Sequence, residues 1–118
     1  MAIKTVNTIL YCRKWQETVA FYQTQLGLKV TTSRPWFVEF ELNEASRLSI
    51  ADEKMTSIDS SDGKGITITL EVDDIEAAYS YLHEAGLKPT PTRDHPWGAK
   101  VVHLYDPEGN RIEFWSPN

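Results

Sequence analysis

The chain repeats one order of secondary structure twice, and this repeat limits the possible folds more than any other feature of the sequence. Residues 3–51 are predicted to form a strand, a helix and three further strands, and residues 66–116 repeat that order. The two predicted helices end on similar segments, Leu26-Gly27-Leu28 and Ala85-Gly86-Leu87. An internal repeat indicates two copies of one structural unit. Because each copy is small for an independent fold, we expect the two to share a core and to form a groove where they meet.

The predicted fold class is α+β, with two tandem βαβββ modules that form an open, barrel-like groove. A single domain spans residues 1–118, with module one at 3–51 and module two at 66–116. The polar, turn-rich residues 52–65 are predicted to be a mobile linker. A stripe of apolar residues at helical spacing predicts the first helix. The members of this stripe are Trp15, Val19, Tyr22 and Leu26.

Composition excludes several classes of function. The 12 Lys and Arg against 17 Asp and Glu give a net charge of −5, so the chain lacks the basic surface that nucleic acid requires. The acidic balance favours solubility or a cationic ligand. The lone Cys12 excludes an intrachain disulfide, and no apolar run reaches the roughly 18 residues of a membrane span. We expect a cytoplasmic protein, because the N-terminus also lacks the apolar segment of a signal peptide.

Alternation along the last two predicted strands assigns their side chains to faces. Ile112 and Phe114 form the apolar set that packs under a helix, so their neighbours on the strand point into the groove. The turn Asp106-Pro107-Glu108-Gly109 predicts a hairpin that brings alternate residues of the preceding strand to the same face. The predicted groove residues of module two are Arg111, Glu113, Trp115, Val101, His103 and Tyr105.

The internal repeat provides a second way to assign groove positions. Residues 48–51 align with 112–115, which makes Ser49 the equivalent of Glu113. Residues 6–9 align with 66–69, which makes Asn7 the equivalent of Thr67. Four positions that face the groove follow from the two alignments, two in each module.

Several motifs resemble those of a known family. They are Val19-Ala20-Phe21-Tyr22 with Leu26-Gly27-Leu28, then Pro96-Trp97-Gly98, then the segment from Asp106 to Glu113. The whole chain resembles the vicinal-oxygen-chelate superfamily, which includes glyoxalase I, extradiol dioxygenases, fosfomycin-resistance enzymes and bleomycin-resistance proteins. The resemblance implies two βαβββ modules and, commonly, a homodimer. In metal-dependent members of the family, a divalent ion is held at the positions equivalent to Asn7, Ser49, Thr67 and Glu113.

Among these four residues only Glu113 is a strong metal ligand. Asn, Ser and Thr offer neutral oxygens that bind transition metals weakly, whereas a catalytic site needs about three strong ligands. His103 would add a second ligand if it lies across the hairpin from Glu113. We therefore predict no cofactor, and the alternative is one divalent metal ion.

The favoured hypothesis is a metal-independent small-molecule-binding protein of the glyoxalase/bleomycin-resistance type. Its ligand would lie in an aromatic-lined groove beside Glu113. The predicted ligand-binding residues are Asn7, Ser49, Thr67, Trp97, Tyr105, Arg111 and Trp115. One alternative is a metal-dependent lyase, isomerase or dioxygenase in which Glu113 and His103 are catalytic and transfer protons. The other is a structural or regulatory domain with no ligand, in which the aromatic residues serve the core and a dimer interface.

Overall fold

The computed structural model, which describes residues 1–118, contains two four-stranded mixed sheets. The chain divides into two units, residues 1–62 and residues 63–118, here called unit 1 and unit 2. Each unit contains one of the sheets and one α-helix. The predicted α+β class, with a βαβββ order that occurs twice, is confirmed. No helix has the length and apolar character that are needed to cross a membrane.

Unit 1 is built around a sheet with the strand order β1-β4-β3-β2. Strand β1 pairs with β4 in parallel, and the other pairs are antiparallel. Its elements are β1 (Val6–Cys12), α1 (Trp15–Ala20), β2 (Lys29–Arg34), β3 (Phe37–Asn43) and β4 (Ser46–Asp52). Strand β1 begins at Val6, whereas the sequence predicted a strand from residue 3.

The first helix differs from the continuous helix that the sequence predicted. It is α-helical only to Ala20, and residues Phe21–Gln25 form a wider π-helical turn in which the Leu26 N–H donates to the Phe21 carbonyl. Phe21 and Tyr22 are both buried, and their rings meet edge to face at 4.9 Å. Two aromatic side chains that are adjacent in the sequence are thus buried together in this turn.

Unit 2 repeats this arrangement, with the strand order β5-β8-β7-β6 and β5 parallel to β8. Asp74 caps its helix by accepting hydrogen bonds from the N–H groups of Glu76 and Ala77. Strand β6 has only three residues, as expected for an edge strand inside a proline-rich segment. The elements are β5 (Thr67–Glu71), α2 (Ile75–Glu84), β6 (Arg93–His95), β7 (Ala99–Tyr105) and β8 (Arg111–Pro117).

The β7–β8 hairpin sets the register of unit 2. The Asp106 carboxylate accepts hydrogen bonds from the N–H groups of Glu108 and Asn110 and from the Asn110 side chain, each at 2.9 Å. Helix α2 packs against β7 and β8, and the alternate strand residues on that side are buried. The predicted assignment of faces is therefore confirmed. The buried set is Val102, Leu104, Ile112 and Phe114, with Ile75 and Leu82 from the helix.

The segment predicted as a linker is divided between the units. Asp52 is the last residue of β4, and its carboxylate accepts a hydrogen bond from the Lys54 N–H. The Glu53 carboxylate accepts a hydrogen bond from the Ser60 N–H at 2.8 Å, and Arg13 forms an ion pair with Asp62. Residues 52–62 therefore belong to unit 1, whereas residues 63–65 belong to unit 2.

Candidate functional site

The side of the unit 2 sheet that faces away from α2 is rich in charged and aromatic residues, and we call it the polar face. Its members follow from the strand register, because residues that lie directly opposite one another on neighbouring strands point to the same side. Arg93 lies opposite Val101, His103 lies opposite Glu113, and Tyr105 lies opposite Arg111. The polar face comprises Arg93, His95, Val101, His103, Tyr105, Arg111, Glu113, Trp115, Thr67, Thr69 and Glu71.

Glu113 lies in the middle of the polar face, and both of its carboxylate oxygens have partners. One oxygen accepts a hydrogen bond from the Thr69 hydroxyl at 3.1 Å. The other forms a salt bridge with the Arg111 guanidinium at 3.3 Å. His103, directly opposite on β7, makes no hydrogen bond to this carboxylate. Of the two neighbouring basic side chains, Arg111 and His103, only Arg111 contacts the Glu113 carboxylate.

His103 is half-buried, and its backbone is hydrogen-bonded to Thr90. Its backbone N–H donates to the Thr90 hydroxyl at 2.9 Å, and its carbonyl accepts from the Thr90 N–H at 2.9 Å. Burial and the positive charge of Arg111 lower the pKa of His103 below its usual 6.5, and the Glu113 carboxylate opposes this effect while Arg93 adds to it. A neutral imidazole at pH 7 can accept a proton or a hydrogen bond but offers no positive charge.

Aromatic side chains lie at one end of the polar face. The rings of Trp97 and Trp115 meet edge to face with their centroids 5.3 Å apart, and His95 lies 5.7 Å from Trp97. Trp97 is 57 % exposed, on the turn between β6 and β7. At the other end Tyr105 is also exposed, and its ring is 5.8 Å from that of His103. These exposed rings offer surfaces on which a flat molecule can stack.

The two predicted positions in unit 1 contact each other. The Ser49 hydroxyl donates a hydrogen bond to the Asn7 side-chain oxygen at 2.7 Å, and Ser49 is fully buried. In unit 2 the equivalent contact between Thr67 and Glu113 does not form, although the strand register is the same. Glu113 accepts its hydrogen bond from Thr69, which lies directly opposite it, whereas the residue opposite Ser49 in unit 1 is the apolar Ile9. The sequence analysis did not select Thr69, although the same alternation that selected Thr67 also places Thr69 on that face.

Unit 1 also contains an apolar cleft that the sequence analysis did not predict. It has a volume of about 370 Å³ and lies where the segment after β4 passes the sheet. Met55 and Ile58 on that segment are exposed. The lining consists of Ile9, Tyr11, Trp36, Phe37, Ala51, Met55, Thr56, Ser57 and Ile58. The expectation of a polar linker concealed this cleft, since only these two residues of the segment are apolar.

The donor set of the polar face does not fit a divalent metal centre. The chain contains no group of three or more His, Cys, Asp and Glu side chains arranged to hold an ion. His103 and Glu113 are the two strong donors that lie opposite each other, and the Glu113 oxygens are already engaged by Arg111 and Thr69. Two donors fall short of the three that catalytic sites commonly use.

Comparison with known proteins identifies the family. The model of the glyoxalase/bleomycin resistance protein/dioxygenase superfamily matches residues 4–114. The chain belongs to this superfamily. The resemblance seen in the sequence motifs is thereby confirmed, and the match covers both units.

Similar proteins include members with different activities. YraH, an uncharacterised protein of Bacillus subtilis strain 168, is 26% identical over an alignment of 125 positions that covers 96% of this chain and 98% of YraH. The antibiotic-binding protein TnmS3 from Streptomyces sp. CB03234 has a TM-score of 0.81 at 22% identity, with 100% and 99% of the two chains covered. A lactoylglutathione lyase from Agrobacterium tumefaciens has a TM-score of 0.80 at 19% identity, with 98% and 95% covered. These structures share the fold, and the residues of the site must indicate the function.

Proposed function

We propose that this chain is a metal-independent small-molecule-binding protein whose ligand lies on the polar face of unit 2. The observation that carries the proposal is the state of Glu113. Its carboxylate is bound by Arg111 and Thr69, so the strongest ligand among the four family positions serves an ion pair. The other three positions, Asn7, Ser49 and Thr67, offer neutral oxygens that bind transition metals weakly.

The aromatic residues support a binding role for the same face. Trp97 is exposed and packs edge to face on Trp115, and the exposed ring of Tyr105 lies beyond His103. Glu113, Arg111 and His103 between them supply hydrogen-bonding groups that orient a bound molecule. The antibiotic-binding relative shows that this fold can serve binding in another protein. A flat molecule of which one edge is polar would match both parts of the face.

The proposal is tested by titrating the protein with N-phenyl-1-naphthylamine, a flat uncharged dye that fluoresces when bound. We expect binding that 1 mM EDTA leaves unchanged. Trp97→Leu should weaken it about fivefold, because an aromatic pair contributes about 0.5–1.5 kcal/mol beyond burial. Trp97 is exposed, so this variant should keep its fold, which circular dichroism would check.

Trp36→Leu is the matched control, because Trp36 lines the cleft of unit 1. We expect this variant to bind the dye within about twofold of the original protein. Binding that depends on Trp36 and not on Trp97 would contradict the proposal. Binding that EDTA abolishes, or no binding at all, would also contradict it.

A further inference from the structure

Two arginines lie on either side of His103 on the polar face of unit 2. Arg93 pairs with Val101 and Arg111 pairs with Tyr105, and Val101 and Tyr105 are the residues two before and two after His103 on β7. Both arginines are therefore diagonal neighbours of His103 across the sheet. Diagonal neighbours lie about 7–8 Å apart at the backbone, a separation that long side chains can span.

The positive charges of this region are only partly neutralised. Arg111 shares a single contact of 3.3 Å with Glu113, whose second oxygen is bound by Thr69. Arg93 is exposed and has no hydrogen-bond or ion-pair partner. The third basic group, His103, is kept neutral near pH 7 by burial and by the two arginines, which lower its pKa. One guanidinium thus remains for an anion to bind.

The only other carboxylate on this face is distant from Arg93. Glu71 lies on β5, opposite Trp115 of β8, while Arg93 lies on β6 at the other edge of the sheet. Three strand spacings separate them, which amounts to about 14 Å. This separation exceeds the screening length of about 8 Å at physiological salt, so Glu71 does little to neutralise Arg93.

An aromatic surface adjoins the free guanidinium. Arg93, Val101 and Trp115 form one row across β6, β7 and β8, and Trp97 stacks edge to face on Trp115. A molecule whose rings lie on the two tryptophans therefore has one edge within reach of Arg93. The net charge of −5 favours a cation over the whole surface, whereas the charges of this face favour an anion.

We propose that the polar face selects an aromatic anion, whose carboxylate, sulfonate or phosphate group is bound by Arg93 and whose rings lie on Trp97 and Trp115. The proposal rests on the proposed function, because it specifies the ligand class of the same face. Guanidinium groups suit such ligands, since they donate two parallel hydrogen bonds to an oxyanion.

The test compares 1-anilinonaphthalene-8-sulfonate with N-phenyl-1-naphthylamine, which has the same rings and lacks the sulfonate. We expect the anionic dye to bind about tenfold more tightly, and Arg93→Gln to remove about this factor while the affinity for the neutral dye stays within about twofold. Raising NaCl should weaken the anionic dye alone. Arg34→Gln, an exposed arginine on β2 of unit 1, is the matched control and should change neither affinity.

The outcomes separate this proposal from the proposed function. If both dyes bind equally and Trp97→Leu weakens both, the face binds ligands without selecting anions, and only the present proposal is overturned. If the anionic dye binds more tightly but Arg93→Gln and Arg34→Gln affect it equally, the proposal is also overturned. If neither dye binds, both proposals are wrong.

Discussion

The guanidinium of Arg111 and the carboxylate of Glu113, two residues apart on β8, form a salt bridge with an N–O distance of 3.3 Å. Alternation places both side chains on the polar face, where Glu113 also accepts a hydrogen bond from Thr69. The carboxylate that the family would use as a metal ligand is therefore part of an ion pair. This pair also sets the electrostatic surroundings of His103, which lies directly opposite Glu113.

The pKa of His103 should respond to both members of this pair in opposite directions. Arg111 lowers that pKa and Glu113 raises it. We therefore expect Arg111→Gln to raise the pKa of His103 and Glu113→Gln to lower it further. Titration of the imidazole resonances by NMR measures both shifts. Shifts in the same direction, or none, would show that the pair does not face His103.

The stability of the protein should fall at mildly acid pH because of His103. Its pKa in the folded state lies below 6.5, so the unfolded chain takes up the proton first as the pH falls. The contribution of neutral His103 to the free energy of unfolding is fully present above about pH 6.5 and is lost as the pH falls through the folded-state pKa. We expect His103→Gln to flatten the dependence of Tm on pH between about 7 and 5.

His83→Gln is the control for this measurement, because His83 is exposed on α2. Its Tm should follow the same pH dependence as that of the original protein. An unchanged slope in His103→Gln would contradict the assignment of the acid sensitivity to His103.

Gly63 should tolerate no side chain, because its backbone lies against the β7–β8 turn. A Cβ at this position would lie 2.0 Å from the Gly109 carbonyl oxygen, and Gly63 has a φ of +77°. We expect Gly63→Ala to lower the free energy of unfolding by about 3 kcal/mol, from backbone strain and overpacking together. Gly65 has a φ of +73° but no atom within 4 Å of such a Cβ, so Gly65→Ala should cost only about 1 kcal/mol. Urea unfolding measures the free energy of unfolding of both variants. Equal losses of stability in the two would contradict the close approach of Gly63 to the Gly109 carbonyl.

Asp74 should stabilise α2 through its two capping hydrogen bonds. Its carboxylate accepts from the N–H groups of Glu76 and Ala77 at 3.0 and 3.1 Å. We expect Asp74→Ala to destabilise the protein by about 1 kcal/mol. The neighbouring Asp73 is exposed and forms no such bond, so Asp73→Ala should stay within about 0.5 kcal/mol. Thermal unfolding compares the stability of the two variants. A larger loss of stability for Asp73→Ala than for Asp74→Ala would contradict the assignment of Asp74 as the cap.

Much of unit 2 could be predicted from the sequence, because its signals are local. The β7–β8 hairpin forms around the predicted turn, and the alternation around Ile112 and Phe114 gave the correct faces. Arg93 was not selected, since its place on the polar face depends on pairing between β6 and β7 inside a segment with three prolines. The π-helical turn after Ala20 was also missed, because it depends on how Phe21 and Tyr22 pack in the core.

The central claim is that the protein binds its ligand without a metal ion. The most direct test measures the metal content of untagged protein purified without chelators and then titrates the same sample with N-phenyl-1-naphthylamine. The account predicts Zn, Ni, Fe and Mn far below one atom per chain, together with a dye affinity that is equal before and after dialysis against EDTA. One metal ion per chain, lost on dialysis together with dye binding, would contradict the account. In that case His103 and Glu113 would have to be reassigned as ligands.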